Sequence, residues 1–244
     1  MDRSRNPRSK RTRVAVILPA LNEAKVISRV VQGARRRPEV GAVYVVDDGS
    51  RDGTARVARK AGARVIIHPR NRGAGAALRT GYQAAARAGF DTLVTMGADD
   101  QDNASEIPRL LARIRAGDDF VQGSRWLSEG RVENIPLFRR VTTIIYSVVF
   151  SIVAGRRITD GTNGFRAFRA GLLRRINLNQ GWLDRYELEP YLYYHAVHDG
   201  FRVSEVPVTK RYPKSGAGYT KMRGLRDHWR ILRPLILLAL RIKR

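Results

Sequence analysis

The chain has 244 residues, of which 43% are hydrophobic and 28% are charged, and this composition excludes wholesale disorder. Lys and Arg number 46 against 22 Asp and Glu, a formal net charge of +24, so we expect an anionic partner such as nucleic acid, phospholipid or a phosphorylated substrate. The absence of cysteine excludes disulfides, thiolate metal sites and a cysteine nucleophile.

Strands and helices alternate in the first half of the sequence. Short β-branched runs predict strands at residues 13–18, 42–47, 64–67, 92–96 and 119–122. Helical periodicity predicts helices at residues 23–35, 53–61, 74–88 and 105–115. This alternation predicts an α/β fold with a mostly parallel sheet and covering helices. Ligands of such sheets bind beyond the carboxyl ends of the strands, so the residues just after each strand are the first candidates for function.

Acidic residues follow two of these strands. Asp47 and Asp48 end the second strand, and residues 98–102 (ADDQD) follow the fourth. Turn and helix-cap chemistry explains the polar residues after Asp48, but not two adjacent carboxylates in a chain so poor in acid. The second run offers oxygen ligands suited to Mg²⁺ or Mn²⁺ holding a substrate's phosphates; a polar loop that caps the next helix is the alternative.

Two ligand classes are disfavoured. The candidate glycine loop, Gly73-Ala74-Gly75, follows the third strand and lacks a third glycine, so it does not match the dinucleotide-binding fingerprint. The sequence shows no helix-turn-helix, zinc or aromatic RNA-binding motif. We therefore favour a membrane surface over nucleic acid as the anionic partner.

Two segments in the second half combine an apolar stripe with polar or basic residues. Residues 141–154 predict an amphipathic helix whose apolar run of about 14 residues is shorter than the roughly 20 needed to cross a bilayer. The C-terminal stripe includes Trp229, and residues 210–244 contain eleven Lys and Arg against Asp227 alone. Such segments suit an anionic membrane interface; packing on the protein's own core is the alternative. We expect a basic tail at residues 1–12, one domain at residues 13–222 with an interface helix near 137–154, and a basic amphipathic helix at residues 223–244.

Seven motifs together carry a resemblance to a known family. They lie at residues 18–23 (LPALNE), 46–54 (VDDGSRDGT), 71–78 (NRGAGAAL), 98–101 (ADDQ), 123–125 (GSR), 160–166 (DGTNGFR) and 205–208 (EVPV). The sequence resembles the family 2 glycosyltransferases of the Rossmann-like GT-A fold, specifically the polyprenyl-phosphate (dolichyl-phosphate) sugar synthases, over about residues 13–230. Asp99 and Arg125 are the catalytic residues that the resemblance implies.

For the donor, the resemblance implies a nucleotide sugar, GDP-mannose or UDP-glucose. Its implied contacts are Pro19, Leu21, Glu23, Val46, Asp47, Asp48, Ala98 and Asp99. The family's metal loop reads Asp-x-Asp-x-Gln, but Gly97 stands at its first position here, so Asp99 and Gln101 match the remaining ligands of Mg²⁺ or Mn²⁺. Neither Asp100 nor Asp102 aligns with the missing carboxylate, although either could compensate for it.

For the acceptor, the resemblance implies a polyprenyl phosphate bound by clustered cations. The candidates are Arg125, Arg139, Arg140, Arg166, Lys210 and Arg211. A lipid phosphate is ionised at neutral pH, so it can attack the anomeric carbon without a strong general base, and a single displacement inverts that centre. We expect a peripheral enzyme on the cytoplasmic face of the cell membrane.

Two alternatives stay open at this point. A family 2 transferase with a soluble or polysaccharide acceptor would use the second apolar helix, at the C-terminus, as core, and its activity would not need lipid. A nucleotide-sugar-binding membrane scaffold without catalysis would explain Gly97. The sequence identifies no partner subunit.

Overall fold

The computed structural model describes residues 12–213, 224–240 and 242. Its strands are β1 Val14–Ala20, β2 Val40–Asp47, β3 Arg64–Ile67, β4 Thr92–Thr95, β5 Phe120–Ser124, β6 Arg131–Glu133, β7 Arg166–Arg169, β8 Val203–Pro207 and β9 Thr209–Arg211. Its helices are α1 Ile27–Arg35, α2 Thr54–Lys60, α3 Ala74–Arg87, α4 Ile107–Arg115, α5 Leu137–Ala154, α6 Leu188–His198 and α7 Gly224–Ala239. Short 3₁₀ segments lie at Ala104–Glu106, Ala170–Arg174 and Gly181–Leu183.

A seven-stranded sheet with the order β3-β2-β1-β4-β7-β5-β8 forms the centre of the fold. The strands β1 to β4 pair in parallel, as do β5 and β8, whereas β7 runs antiparallel between β4 and β5. The predicted α/β class with a mostly parallel sheet is therefore confirmed. A second, two-stranded sheet pairs β6 with β9.

Side-chain alternation along β1 divides the core into two clusters, one on each face of the sheet. Ala15 and Ile17 belong to the cluster that includes residues of α3, α5, α6 and α7. Val14, Val16 and Leu18 belong to the cluster that includes residues of α1, α2 and α4. The sheet is thus covered by helices on both faces, and its carboxyl edge is left to the loops.

Most predicted elements of the first half match the structure to within a few residues. The main difference is α1, which begins at Ile27 rather than at Glu23, because a turn precedes it. Asn22 has a φ of 53°, and the carbonyl of Glu23 accepts hydrogen bonds from the amides of Val26 and Ile27. This turn holds the end of the first motif at the edge of the sheet.

Helix α5 contains 18 residues, because it begins four residues before the apolar run that predicted it. By length and composition alone it is long and apolar enough to cross a membrane, with 22% of its residues buried, a test that core helices of soluble proteins also pass. The helix is thus longer than the apolar run of about 14 residues on which the prediction was based, and the absence of a membrane-crossing segment stays a prediction.

The predicted C-terminal helix corresponds to α7, whose stripe is divided between core and surface. Leu235 and Leu238 are buried in the core, whereas Trp229, Ile236 and Leu240 are exposed. Part of this stripe therefore packs on the protein, as the alternative interpretation expects. Residues 1–11 of the predicted basic tail, and residues 214–223, lie outside the described residues.

Candidate active site

The first two strand-end motifs meet at the carboxyl edge of the sheet. Pro19 lies opposite Val46 in the register of β1 and β2. The loops beyond are joined by hydrogen bonds from the amide of Asn22 to Ser50 Oγ at 2.9 Å and from the amide of Glu23 to Thr54 Oγ1 at 2.8 Å. The predicted donor-binding residues Pro19, Leu21, Glu23, Val46, Asp47 and Asp48 are therefore brought together.

Asp47 organises the loop that follows β2. Its carboxylate is 3% exposed and accepts hydrogen bonds from the amide of Ser50 at 2.8 Å and the amide of Ala55 at 3.0 Å. The second bond satisfies an amide in the first turn of α2, where helices leave N–H groups without partners. Asp47 thus shapes the loop that follows β2.

Asp48 organises the loop that follows β3 in the same manner. It is also 3% exposed and accepts from the amides of Arg72 at 3.0 Å and Gly73 at 2.7 Å. His68 Nδ1 lies 2.7 Å from the same carboxylate, and His68 Nε2 lies 3.0 Å from Thr80 Oγ1 on α3. Sequence reasoning missed His68, because a lone histidine after a strand carries no motif. Asp48 thus holds the loop that follows β3.

The glycine loop serves close backbone packing. The amides of Gly75 and Ala76, at the start of α3, donate to the carbonyls of Arg185 at 2.8 Å and Asp184 at 2.9 Å. A Cβ atom on Gly75 would lie 2.7 Å from the carbonyl oxygen of Arg185, too close for any residue with a side chain. The amino end of α3 is therefore capped by the chain itself.

The acidic loop follows β4, and β4 neighbours β1 in the sheet. Asp100 forms an ion pair with Arg29 at 2.9 Å, which joins this loop to α1, the helix that follows the first motif. Asp99 is exposed, and its Oδ1 accepts a long hydrogen bond of 3.3 Å from the amide of Gln101. The predicted contacts Ala98 and Asp99 are thus placed next to the other donor-side residues.

Asp102 is the buried carboxylate of this loop. Its Oδ2 accepts from the amide of Gly97 at 2.8 Å, and its Oδ1 lies 2.8 Å from Lys210 Nζ. Burial by itself lowers the pKa of Lys210, but the carboxylates of Asp102 and Asp99 together outweigh it, and the pKa lies above its ordinary value. The structure thus places the ammonium of Lys210 at the acidic loop, in an ion pair with Asp102.

These residues fit a divalent ion in part. Among the residues that the structure describes, no group of three or more acidic or histidine side chains converges as a metal site. Asp100 and Asp102 have cationic partners, which leaves Asp99, with Gln101, as the candidate donors. Mg²⁺ is often held by one or two carboxylates plus substrate phosphates. The loop therefore fits an ion carried by a bound diphosphate, and does not fit a preformed site.

Arg125 lies at the end of β5, with its side chain 3% exposed. Its Nε and Nη2 each donate to the carboxylate of Asp160 at 2.7 Å, and its Nη1 donates to the hydroxyl of Tyr212 at 2.7 Å. Burial lowers the pKa of Arg125 and raises that of Asp160, but the attraction within the pair outweighs burial, so the pKa of Arg125 is raised and that of Asp160 lowered. The guanidinium lies behind the surface, where it positions Tyr212 and the loop of Asp160.

Two further arginines lie at the amino end of α5. The guanidinium of Arg139 is 5.0 Å from the centre of the Tyr212 ring, and that of Arg140 is 6.0 Å from the centre of the Trp126 ring. The amino end of α5 has no side-chain cap. Arg139 and Arg140, with Tyr212 on the network of Arg125, form a cationic patch that we call the α5 patch.

The remaining predicted cations lie elsewhere. Arg211 is exposed and pairs with Glu133 at 3.2 Å across the small sheet. Arg166 is 1% exposed; it pairs with Glu189 at 3.2 Å and donates to the carbonyl of Asn163 at 2.6 Å. Because Arg166 is buried, it does not reach a ligand at the surface. This position differs from the expectation that Arg166 binds the acceptor phosphate.

Helix α5 packs with its hydroxyl-bearing side inward. Ser147 Oγ accepts from the amide of Gly161 at 3.1 Å, and Ser151 Oγ accepts from the amide of Ile158 at 2.9 Å. The apolar side chains on the opposite side are half or more exposed in most cases. They are Leu137, Phe138, Val141, Ile144, Ile145, Val148 and Ile152, and we call this surface the α5 apolar face. Contiguous exposed apolar residues are typical of surfaces that contact another protein or a membrane.

The chain is similar in sequence to known proteins. Among relatives, the polyprenol monophosphomannose synthase of Mycolicibacterium smegmatis is 33% identical over 218 residues, covering 87% of this chain and 82% of that protein. The undecaprenyl-phosphate mannosyltransferase of Micrococcus luteus is 32% identical over 217 residues, covering 87% of this chain and 88% of that protein.

Among solved structures, glucosyl-3-phosphoglycerate synthase of Mycobacterium tuberculosis with Mg²⁺ and uridine diphosphate aligns with a TM-score of 0.68 at 20% identity, covering 94% of this chain and 79% of that one. A structure of the same protein with Mn²⁺, uridine diphosphate and phosphoglyceric acid aligns with a TM-score of 0.67 at 18% identity and 78% of its length. At these identities the likeness shows the shared fold. The family model of glycosyl transferase family 2 matches residues 15–177, more than half of the sequence, so the chain belongs to that family.

Proposed function

We propose that the chain transfers a monosaccharide from a nucleotide sugar to a polyprenyl or dolichyl phosphate at a membrane surface. The observation that carries the proposal is the α5 apolar face, which begins beside the α5 patch. A lipid phosphate has an apolar chain at one end and an anionic phosphate at the other. The α5 apolar face complements the chain, and the arginines of the α5 patch complement the phosphate. The names of the relatives, which are synthases and transferases of prenyl-phosphate sugars, support the same acceptor class.

The donor is proposed to lie at the carboxyl edge of β1, β2 and β4. Pro19, Leu21 and Glu23 are half-buried there and would contact the nucleotide, whereas Asp47 and Asp48 hold the loops that enclose it. We propose that Mg²⁺ or Mn²⁺ enters with the donor's diphosphate and binds Asp99 and Gln101. Bound there, the ion would neutralise charge on the leaving diphosphate.

The acceptor phosphate is proposed to bind Arg139 and Arg140 in the α5 patch. Arginine suits this role, because its planar donors match two phosphate oxygens at once. Arg125 acts one layer below as a positioning residue, since its donors hold Asp160 and the hydroxyl of Tyr212. Arg211 is exposed at the nearby small sheet and adds positive charge to the approach.

The proposed reaction is a single displacement. An ionised oxygen of the lipid phosphate forms a bond to the anomeric carbon, while the bond from that carbon to the nucleotide's diphosphate breaks and the electron pair leaves with the diphosphate. The anomeric centre inverts. Since the attacking oxygen is already ionised, the protein's task is to hold two anions side by side and neutralise the one that departs.

Membrane attachment is proposed to be peripheral, on the cytoplasmic face, with the α5 apolar face in the acyl boundary. The serine contacts on the opposite side fix α5 to the domain, so the helix lies along the surface of the protein. Exposed Trp229 of α7 and Leu240, the residue after that helix, would add a second contact with the same surface.

Sugar transfer into lipid is the direct test. Labelled GDP-mannose, UDP-glucose and UDP-N-acetylglucosamine are each incubated with the chain and polyprenyl phosphate in vesicles, with Mg²⁺, with Mn²⁺ or with EDTA. We expect label in the organic phase for one donor, and its loss in Asp99→Ala. Transfer confined to a water-soluble acceptor, or no transfer by a chain that binds vesicles, would overturn the proposal.

A further inference from the structure

Lys210, on β9, is a nearly buried cation beside the acidic loop. The reaction proposed above gives this residue no role. Its side chain is 12% exposed, and its Nζ lies 2.8 Å from Oδ1 of Asp102, whose side chain has no exposed surface. An ammonium carries three N–H donors, and one of them is directed to Asp102. Donors remain for a ligand on the open side of the loop, where Asp99 is exposed.

The backbone holds Lys210 in place before any ligand binds. The amide of Arg211 donates to the carbonyl of Gln101 at 2.9 Å, and Asp102 and Lys210 form an antiparallel bridge. On the other side, β9 pairs with β6. A cation fixed in this way costs little reorganisation when an anion arrives, and its low exposure strengthens the attraction.

The charge of the loop differs from that of a metal loop with two carboxylates at its first and third positions. Gly97 removes one of these carboxylates. Of the charges that remain, Arg29 offsets Asp100 and Lys210 offsets Asp102, so Asp99 alone lacks a cationic partner among the described ion pairs. With one unpaired carboxylate instead of two, this loop attracts a divalent ion less strongly than such a metal loop does. For the same reason it also repels a diphosphate less strongly.

We propose that Lys210 binds the diphosphate of the donor directly and supplies part of the positive charge that comes from a divalent ion where residue 97 is a carboxylate. An ion at Asp99 and Gln101 adds to this charge but is not required for the diphosphate to bind. The proposal rests on the proposed function, because that function places the diphosphate at Asp99. It implies that this chain binds nucleoside diphosphates without a divalent ion.

Calorimetric titration of the full chain in EDTA tests this role. GDP, UDP and the parent nucleosides are the probes, and Lys210→Met is the variant. The matched control is Arg131→Met, which removes an exposed cation from β6, the strand paired with β9. We expect Lys210→Met to weaken diphosphate binding at least 10-fold and to leave nucleoside binding unchanged, with Arg131→Met close to wild type. If Lys210→Met binds the diphosphate as tightly as wild type, the proposed role of Lys210 is overturned, but the proposed donor site is not. Wild type that binds neither diphosphate would overturn the proposed donor site as well.

A second variant separates binding from folding, since Lys210→Met leaves a buried carboxylate unpaired. Asp102→Asn keeps the ammonium and removes its counter-ion, so diphosphate binding in EDTA should be retained or tightened. Equal losses in Asp102→Asn and Lys210→Met would make the pair structural and refute the proposal. Gly97→Asp supplies a readout on the metal: we expect it to bind Mn²⁺ in the absence of nucleotide, measured by electron paramagnetic resonance, where wild type does not. Nucleotide-free Mn²⁺ binding by wild type equal to that of Gly97→Asp would also refute it.

Discussion

The α5 apolar face leads to a quantitative prediction about membrane binding. Ile145 and Ile152 are 57% and 75% exposed, so insertion of α5 into the acyl boundary would move most of each side chain out of water. Full burial of such a side chain is worth about 1.5–3 kcal/mol, and the exposed fractions correspond to about 1–2 kcal/mol each. Ile145→Ser/Ile152→Ser should therefore weaken vesicle binding by about 2–4 kcal/mol, roughly 30- to 700-fold.

The assay is co-sedimentation with vesicles that contain anionic phospholipid, at fixed ionic strength. Ile67→Ser is the matched control, because Ile67 is a 49% exposed isoleucine on the edge strand β3, away from α5. Urea unfolding should show that all variants are as stable as wild type within about 0.5 kcal/mol, since the substituted side chains are exposed. A double variant that sediments with the same vesicle affinity as wild type would refute the membrane role of the α5 apolar face.

Three further predictions concern stability, each measured by urea unfolding. Arg125→Met should cost about 3–5 kcal/mol, because it leaves the buried carboxylate of Asp160 unpaired; a loss under about 1 kcal/mol would contradict the ion pair. Burial raises the pKa of Asp160 but Arg125 outweighs it, so the folded-state pKa lies below the ordinary 3.8. The ion pair's contribution to the free energy of unfolding should therefore be complete above pH 3.8 and be lost as the pH falls through the folded-state pKa of Asp160. A wild-type free energy of unfolding that does not change over that pH range would contradict this. Gly75→Ala should cost about 1–3 kcal/mol by overpacking, whereas Gly181→Ala, where a Cβ meets no atom within 4 Å, should change little; equal effects would refute the packing argument.

Much of the donor side was predictable from local sequence patterns. Strands β1 to β4 are short apolar runs with turn residues behind them, and strands aligned in one parallel sheet must bring their carboxyl ends to one edge. The sequence pattern alone therefore places Pro19, Asp48 and Asp99 at one edge of the sheet. The elements of the second half gave weaker signals. Helix α6 is apolar on nearly all sides and shows no amphipathic period, and β7 (RAFR) places arginines in a strand that is largely buried.

The sequence does not determine which side of α5 faces outward, because the same helical period describes an apolar stripe that faces the core and one that faces solvent. The hydrogen bonds of Ser147 and Ser151 to the segment around Gly161 decide it, and these depend on how the chain returns after the helix. The sequence by itself determined that α5 is amphipathic, and tertiary packing decided which side is exposed.

The roles of the cations depended on tertiary structure in the same way. Arg125, Arg166 and Lys210 are equally basic in the sequence, but each finds a carboxylate far along the chain: Asp160, Glu189 and Asp102 respectively. A buried charge requires a nearby counter-charge, and which one is nearby is a property of the folded chain. The sequence by itself determined the family, the parallel sheet and the donor-side motifs. Only the tertiary structure distinguished the cations that hold the fold together from Arg139 and Arg140, whose place at the end of α5 suits an acceptor phosphate.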